Sequence, residues 1–308
     1  MSPSALARML IVSALLFLSN QVGLAQTETG VAVSRGGSLD AQNGPANRKI
    51  VVESLVISGT QSIGRAELEE ISNGVIGSKF DEDKEELEEQ IRAKFQDRGY
   101  FTVVVDSLDI KVLDPLASPK PARLEAQVTE GPLCRLAAIE FMDNHALSSS
   151  KLRAKYPTKD GEVLQRSKIA GGSRALLKLY SSRGFLDASF TPDAIFDSSM
   201  INLKVVVREG PQYRMGSFEV VGPPELAEKL QTRWKLHPGT VFNRDYVEIF
   251  VDKNHSLLPA DFTIDNGVAL IKDCPSGTVS VHLHLTDDPQ HEILDSAKRV
   301  PCPKKDKD

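Results

Sequence analysis

The chain has 308 residues, 41% of them hydrophobic and 26% charged, which fits two or three folded domains and excludes a fibrous or wholly disordered protein. Its formal net charge of −5 argues against a general attraction to nucleic acid or anionic lipid.

Residues 1–25 read as a secretory signal peptide. Arg8 precedes the apolar run from Met9 to Leu18, polar Ser19-Asn20-Gln21 follows, and Gly23 and Ala25 sit at −3 and −1 of a cut before Gln26. The apolar core is shorter than the roughly 20 residues a bilayer-spanning helix needs. The same segment left uncleaved would be an inner-membrane anchor, and that alternative stays open. Residues 26–49 read as a disordered linker.

From residue 50 onward the elements recur. Leu55-Val56-Ile57-Ser58-Gly59 alternates as a half-buried strand. Ile63, Leu68 and Ile71 then share a face of a short helix that stops at Asn73-Gly74. Gly77 leads into a second helix, for which Asp81 is the expected N-cap, with Glu82, Asp83, Glu85 and Glu86 at the positive end of the helix dipole. Leu87, Ile91 and Phe95 line one face of that helix, and Gly99 ends it. Two strands, Phe101 to Leu113 and Ala122 to Thr129, close the unit.

The second unit has a strand at Ile139–Met142, a serine cap at Ser148-Ser149-Ser150 and a helix carrying Ile169, Leu176 and Tyr180. The Gly171-Gly172 pair predicts a kink or a close neighbour there, because each glycine costs about 1 kcal/mol against Ala in a helix. Strands Phe185 to Phe196 and Ile201 to Val207 follow. A third unit begins at Phe218-Glu219-Val220-Val221-Gly222 and closes with Phe262 to Ile271 and Val279 to Leu285, the first of these interrupted by a turn or bulge at Asp265-Asn266-Gly267.

Short strings mark the repeat. Val128-Thr129-Glu130-Gly131-Pro132 returns as Val207-Arg208-Glu209-Gly210-Pro211, and Arg98-Gly99-Tyr100 returns as Arg183-Gly184-Phe185. Gly77, Gly161 and Gly239 open three equivalent segments. The domains expected are residues 50–131, 132–210 and a divergent 211–286, followed by a polar tail, 287–308. The fold class is α+β, with three tandem β-α-α-β-β modules, each a three-stranded sheet covered by two helices. Such small modules bury modest cores, so contacts between neighbours should matter.

Cys134, Cys274 and Cys302 are an odd number for an exported chain. One disulfide and one free thiol is the simplest arithmetic, with Cys274–Cys302 the favoured pair. His282 and His284 share a strand face, read as solvated rather than metal-binding. The acidic run Asp81–Glu89 lacks the glycine-containing loop of an EF-hand and reads as a capped helix. Trp234 reads either as a surface anchor or as core. There is no nucleophile elbow, P-loop, dinucleotide fingerprint or HExxH motif, so no catalytic residue, cofactor or metal is assigned and an enzyme is not expected.

The strand ending at Gly59, the Gly77–Phe80 segment, the two Arg-Gly-aromatic turns and the paired Glu-Gly-Pro exits resemble the POTRA (polypeptide-transport-associated) family. The resemblance covers residues from about 50 to 286, but the third unit has Pro259-Ala260-Asp261-Phe262 in place of the Arg-Gly-aromatic turn. It implies a periplasmic, non-enzymatic adaptor for polypeptide clients or a separate outer-membrane β-barrel protein, since the polar residues after Leu285 leave no room for a barrel within this sequence. An envelope scaffold held by an uncleaved N-terminus is the alternative. In the family the second strand of each module is the free edge, where a guest strand adds by β-augmentation. Here that points to Thr102, Val103, Val104 and Val105 in the first unit, and to Leu186, Asp187 and Ala188 in the second.

Overall fold

The computed structural model of the chain describes residues 50–80 and 83–285. The expected signal peptide and linker, Asp81, Cys302 and the expected polar tail lie outside the described residues. The first repeat comprises β1 (Ile50–Ser58), α1 (Arg65–Asn73), the short β2 (Lys79–Phe80), α2 (Lys84–Gln96), β3 (Val104–Val112) and β4 (Lys120–Thr129). The second comprises β5 (Arg135–Met142), α3 (Ser149–Arg153), α4 (Arg166–Ser181), β6 (Ser189–Asp197) and β7 (Met200–Arg208). The third comprises β8 (Arg214–Val221), α5 (Pro224–Arg233), α6 (Arg244–Asn254), α7 (Ile264–Gly267), β9 (Val268–Asp273) and β10 (Thr278–His284).

Each repeat owns one sheet. The strand orders are β2-β1-β4-β3, β5-β7-β6 and β8-β10-β9. The first strand of a repeat lies parallel to the last, and the middle strand returns antiparallel beside it, as the registers of the first and third sheets show. The first sheet exceeds the expected three strands by the two-residue β2, which pairs with Ile50 and Val51.

The landmark glycines do the same job three times. Gly77 N–H donates to Val52 O at 2.8 Å and Val52 N–H to Ser78 O at 3.0 Å; Gly161 with Leu136, and Gly239 with Met215, repeat both bonds. All three glycines sit at φ between 80° and 84°, a region that costs a residue with a Cβ about 1–2 kcal/mol. The chain thereby folds back against its own first strand before the second helix begins.

The elements start and stop for local reasons. The N-cap of α2 is Asp83, not Asp81: its carboxylate accepts from Glu85 N and Glu86 N. Leu87, Ile91 and Phe95 are fully buried, as their spacing predicts, in a core with Leu55, Phe80, Leu108 and Leu124. Gly172 has a close neighbour, since a Cβ there would come within 2.4 Å of the Tyr156 ring, whereas Gly171 faces open space. In the third repeat the segment after Phe262 is not a strand. Thr263 and Asn266 form a reciprocal capping box, which makes Ile264–Gly267 a short helix and delays β9 to Val268.

By contacts the described residues fall into two compact units. One holds the residues up to Met142 with Arg153–Gly172 and Thr191–Val205. The other holds Asp143–Leu152, Ser173–Phe190 and the residues from Val206 onward. The middle repeat contributes to both. The second unit has its own core around Tyr213, Leu230, Phe242 and Leu283. Within it Trp234 stacks on Phe218 at 3.9 Å and meets Tyr246 and Phe250 edge-on, so of its two readings the core one holds.

Candidate functional site

In each of the two repeats that carry it, the Arg-Gly-aromatic turn ends the second helix and also receives the next repeat. Tyr100 N–H returns to Phe95 O, and Phe185 N–H to Tyr180 O, a six-to-one bond that fits a glycine in the left-handed region at Gly99 and Gly184. The carbonyl of Gly99 then accepts from Cys134 N–H at 2.9 Å, and that of Gly184 from Tyr213 N–H at 2.8 Å. There is no room beside these glycines. A Cβ on Gly99 would lie 2.5 Å from Val163 Cγ1, and one on Gly184 would lie 2.6 Å from Tyr213 O.

The Glu-Gly-Pro exits carry a second shared device. Glu130 accepts from the backbone N–H groups of Gln61 and Ser62, just after β1. Glu209 likewise accepts from His145 N and Ala146 N, just after β5, and also from the Tyr180 hydroxyl at 2.9 Å. Each glutamate therefore ties the end of its repeat to the loop that follows its first strand. Burial would raise the Glu130 carboxyl, but hydrogen bonds from Ser62, Gln61 and Ile63 outweigh it and hold the group below its ordinary value. Burial first, and then the bond to Glu209, pushes the Tyr180 hydroxyl well up.

Polar contacts fix the same two junctions from the side. Arg166 reaches Glu89 at 2.6 Å and Gln96 Oε1 at 3.1 Å, and Ser167 N–H caps onto Asp97 at 2.7 Å. At the other junction Asp187 accepts from the Tyr213 hydroxyl at 2.7 Å and pairs with Lys272. No local pattern marks these partners, because they stand 26 to 85 residues apart in the chain. The recurrence of the glutamate in Glu-Gly-Pro was a usable signal, and it pointed to structure.

The sheet rims start later than the sequence suggests. β3 and β6 are the terminal strands of their sheets, but they begin at Val104 and Ser189. Thr102 and Val103, like Leu186, Asp187 and Ala188, form the turn ahead of the strand. That turn is needed because the helix-ending glycine reverses the chain, with Phe101 N–H closing on Gly99 O and Leu186 N–H on Gly184 O. Val103 and Ala188 are core. Thr102 Oγ1 is buried against Gly131. Leu186 packs on the third core and Asp187 is held at the junction. Of the seven residues named from the sequence, only Val104 and Val105 lie on a rim. Val104 is 49% exposed, and Val105 packs inward.

The rim of the first sheet is therefore Val104–Val112, which among the described residues pairs with β4 alone. Its outer side shows Val104, Asp106, Ser107, Asp109 and Lys111 to solvent, while Leu108 enters the core. No group of three or more His, Cys, Asp or Glu side chains among the described residues is placed to hold a metal ion. His282 is not solvated as its strand position suggested. It is 5% exposed on the central strand of its sheet, with Nε2 3.5 Å from Glu219. Cys134 is buried and free, and burial pushes its thiol up. Cys274 is in a disulfide.

Three small α+β repeats, each with its own sheet and a terminal strand, define a tandem-repeat protein. Residues 135–210 match the family POTRA, described as a surface antigen variable number repeat. It is 26% identical over 169 residues to a putative outer membrane protein assembly factor of Treponema pallidum, covering 51% of this chain and 20% of the relative. It is 23% identical over 158 residues to the outer membrane protein assembly factor BamA of Buchnera aphidicola, covering 47% and 26%. The match thus spans between a fifth and just over a quarter of these relatives' lengths. The fold is that of POTRA domains 3–5 of Haemophilus influenzae BamA, with a TM-score of 0.55 at 19% identity over 78% of this chain and 96% of that one.

Proposed function

We propose that the chain is an exported, non-enzymatic adaptor that acts in outer-membrane protein assembly by docking extended polypeptides on its sheet rims. One observation carries this reading: β3 is a nine-residue terminal strand whose far side has no neighbour among the described residues. Unpaired N–H and C=O groups along such a rim accept a further strand with little regard to its sequence. The names of the two relatives, both outer-membrane assembly factors, set the process in which such docking would serve. The modules are residues 50–131, 132–210 and 211–286, the place of work is the periplasm, and the clients are barrel precursors or a separate barrel protein. No helix among the described residues is long and apolar enough to cross a membrane.

The test is photocrosslinking in living cells. A photoreactive residue at Val104 or Asp109 should capture envelope polypeptides, while one at Glu69, exposed on α1, should not. Equal yields from all three positions, or none from the rim, would end this reading. Sequencing the mature N-terminus separates a free periplasmic protein, starting at Gln26, from an anchored scaffold.

A further inference from the structure

We propose that two copies of this chain pair through β3, antiparallel about a two-fold axis at Ile110. The proposal uses the same open rim as the client-docking reading but depends on its side-chain pattern, which client docking does not. Val105, Leu108, Ile110 and Val112 pack toward the core, while Asp109 and Lys111 are exposed on the other side. A strand laid against this rim must match faces, because a one-residue slip turns every side chain over. For two identical strands in antiparallel register, face matching puts the axis on a residue rather than between two.

Four such axes are available along the regular part of the strand. Centring on Leu108 leaves only Ser107–Asp109 in register before the bulge, where the β3–β4 pairing shifts between Val105 and Ser107. Centring on Asp109 or on Lys111 sets two like charges directly opposite, which destabilises a sheet pair. Centring on Ile110 runs unbroken from Leu108 to Val112, the last residue of the strand. It places Asp109 against Lys111 twice, once on each side of the axis, and Leu108 against Val112 on the core side. Neither Asp109 nor Lys111 has an ion pair among the described residues that competes for it. The arrangement is isologous and closes on itself, so it makes a dimer rather than a fibre. A single strand pairing buries far less than the roughly 1,600 Å² of a standard interface, so the association is weak and salt-dependent.

Charge exchange tests it on the full chain, with sedimentation velocity at high protein concentration and low salt. The unaltered chain should sediment as a monomer–dimer mixture whose dimer fraction falls as salt rises. Asp109→Lys and Lys111→Asp should each be monomeric, since one sets Lys against Lys and the other Asp against Asp. Mixing those two variants in equal amounts should restore the dimer, because every opposed pair is again of opposite sign, and so should the double variant Asp109→Lys/Lys111→Asp. A chain that is monomeric at every concentration overturns the proposal, as does a dimer indifferent to the single reversals or a mixture that stays monomeric. Capture of envelope polypeptides from Val104 in the Lys111→Asp background is read separately. If capture persists while the dimer is absent in every form, self-pairing fails and client docking stands.

Discussion

Glu209→Ala is the sharpest test of how the repeats are held. The carboxylate accepts three hydrogen bonds, from His145 N, Ala146 N and the Tyr180 hydroxyl. The two amides belong to exposed residues and can turn to water, so each loss costs about 0.5–1 kcal/mol. The Tyr180 side chain is 0% exposed, and stranding its hydroxyl costs about 1–3 kcal/mol. The total is about 3 kcal/mol. The Tyr180→Phe change removes the hydroxyl that would be stranded, so the double variant should be no less stable than Glu209→Ala alone, with a coupling of about 1–2 kcal/mol. Trp234, the sole tryptophan, lies in the same compact unit and reports urea unfolding by fluorescence. At a slope of about 2 kcal/mol per molar urea, the midpoint should fall by about 1.5 M with the slope unchanged. A midpoint shift below about 0.3 M, or two additive single effects, would refute the assignment of Glu209 as the tie.

Glycine pairs give a second set of tests. Gly171→Ala, facing open space, should raise stability by about 0.5–1 kcal/mol, while Gly172→Ala, against the Tyr156 ring, should lower it by about 1–3 kcal/mol; thermal unfolding distinguishes the signs. Gly77→Ala should cost only the left-handed penalty of about 1–2 kcal/mol, whereas Gly99→Ala adds a clash with Val163 and should cost more, read in the same melts. The Glu130 carboxyl is held below its ordinary value, so the stability it contributes is full above the unfolded pKa and is lost as pH falls through the folded one. Urea midpoints measured from about pH 5 down to about pH 3 should therefore fall more steeply in the unaltered chain than in Glu130→Gln.

The repeat, its order of elements and most of the core were legible in the linear sequence, because they rest on local rules. Leu87, Ile91 and Phe95 lie four apart and cannot help sharing a helix face. Gly77, Gly161 and Gly239 are needed wherever the backbone turns left-handed, and alternation in β4 and β7 follows from the two-residue pleat. At Phe262–Gly267 of the third repeat, strand-like apolar spacing competes with a capping box, and the box wins once Thr263 and Asn266 bond each other. The rim residues were displaced by two or three positions for a related reason. A glycine that ends a helix also sets how far the chain runs before pairing can resume, and no periodicity records that distance. What Asp187, Arg166, Glu209 and His282 touch was decided by tertiary structure alone. Their partners come from segments brought together only by the packing of sheets and helices, and charge or hydroxyl chemistry at one position says nothing of which distant group will stand opposite.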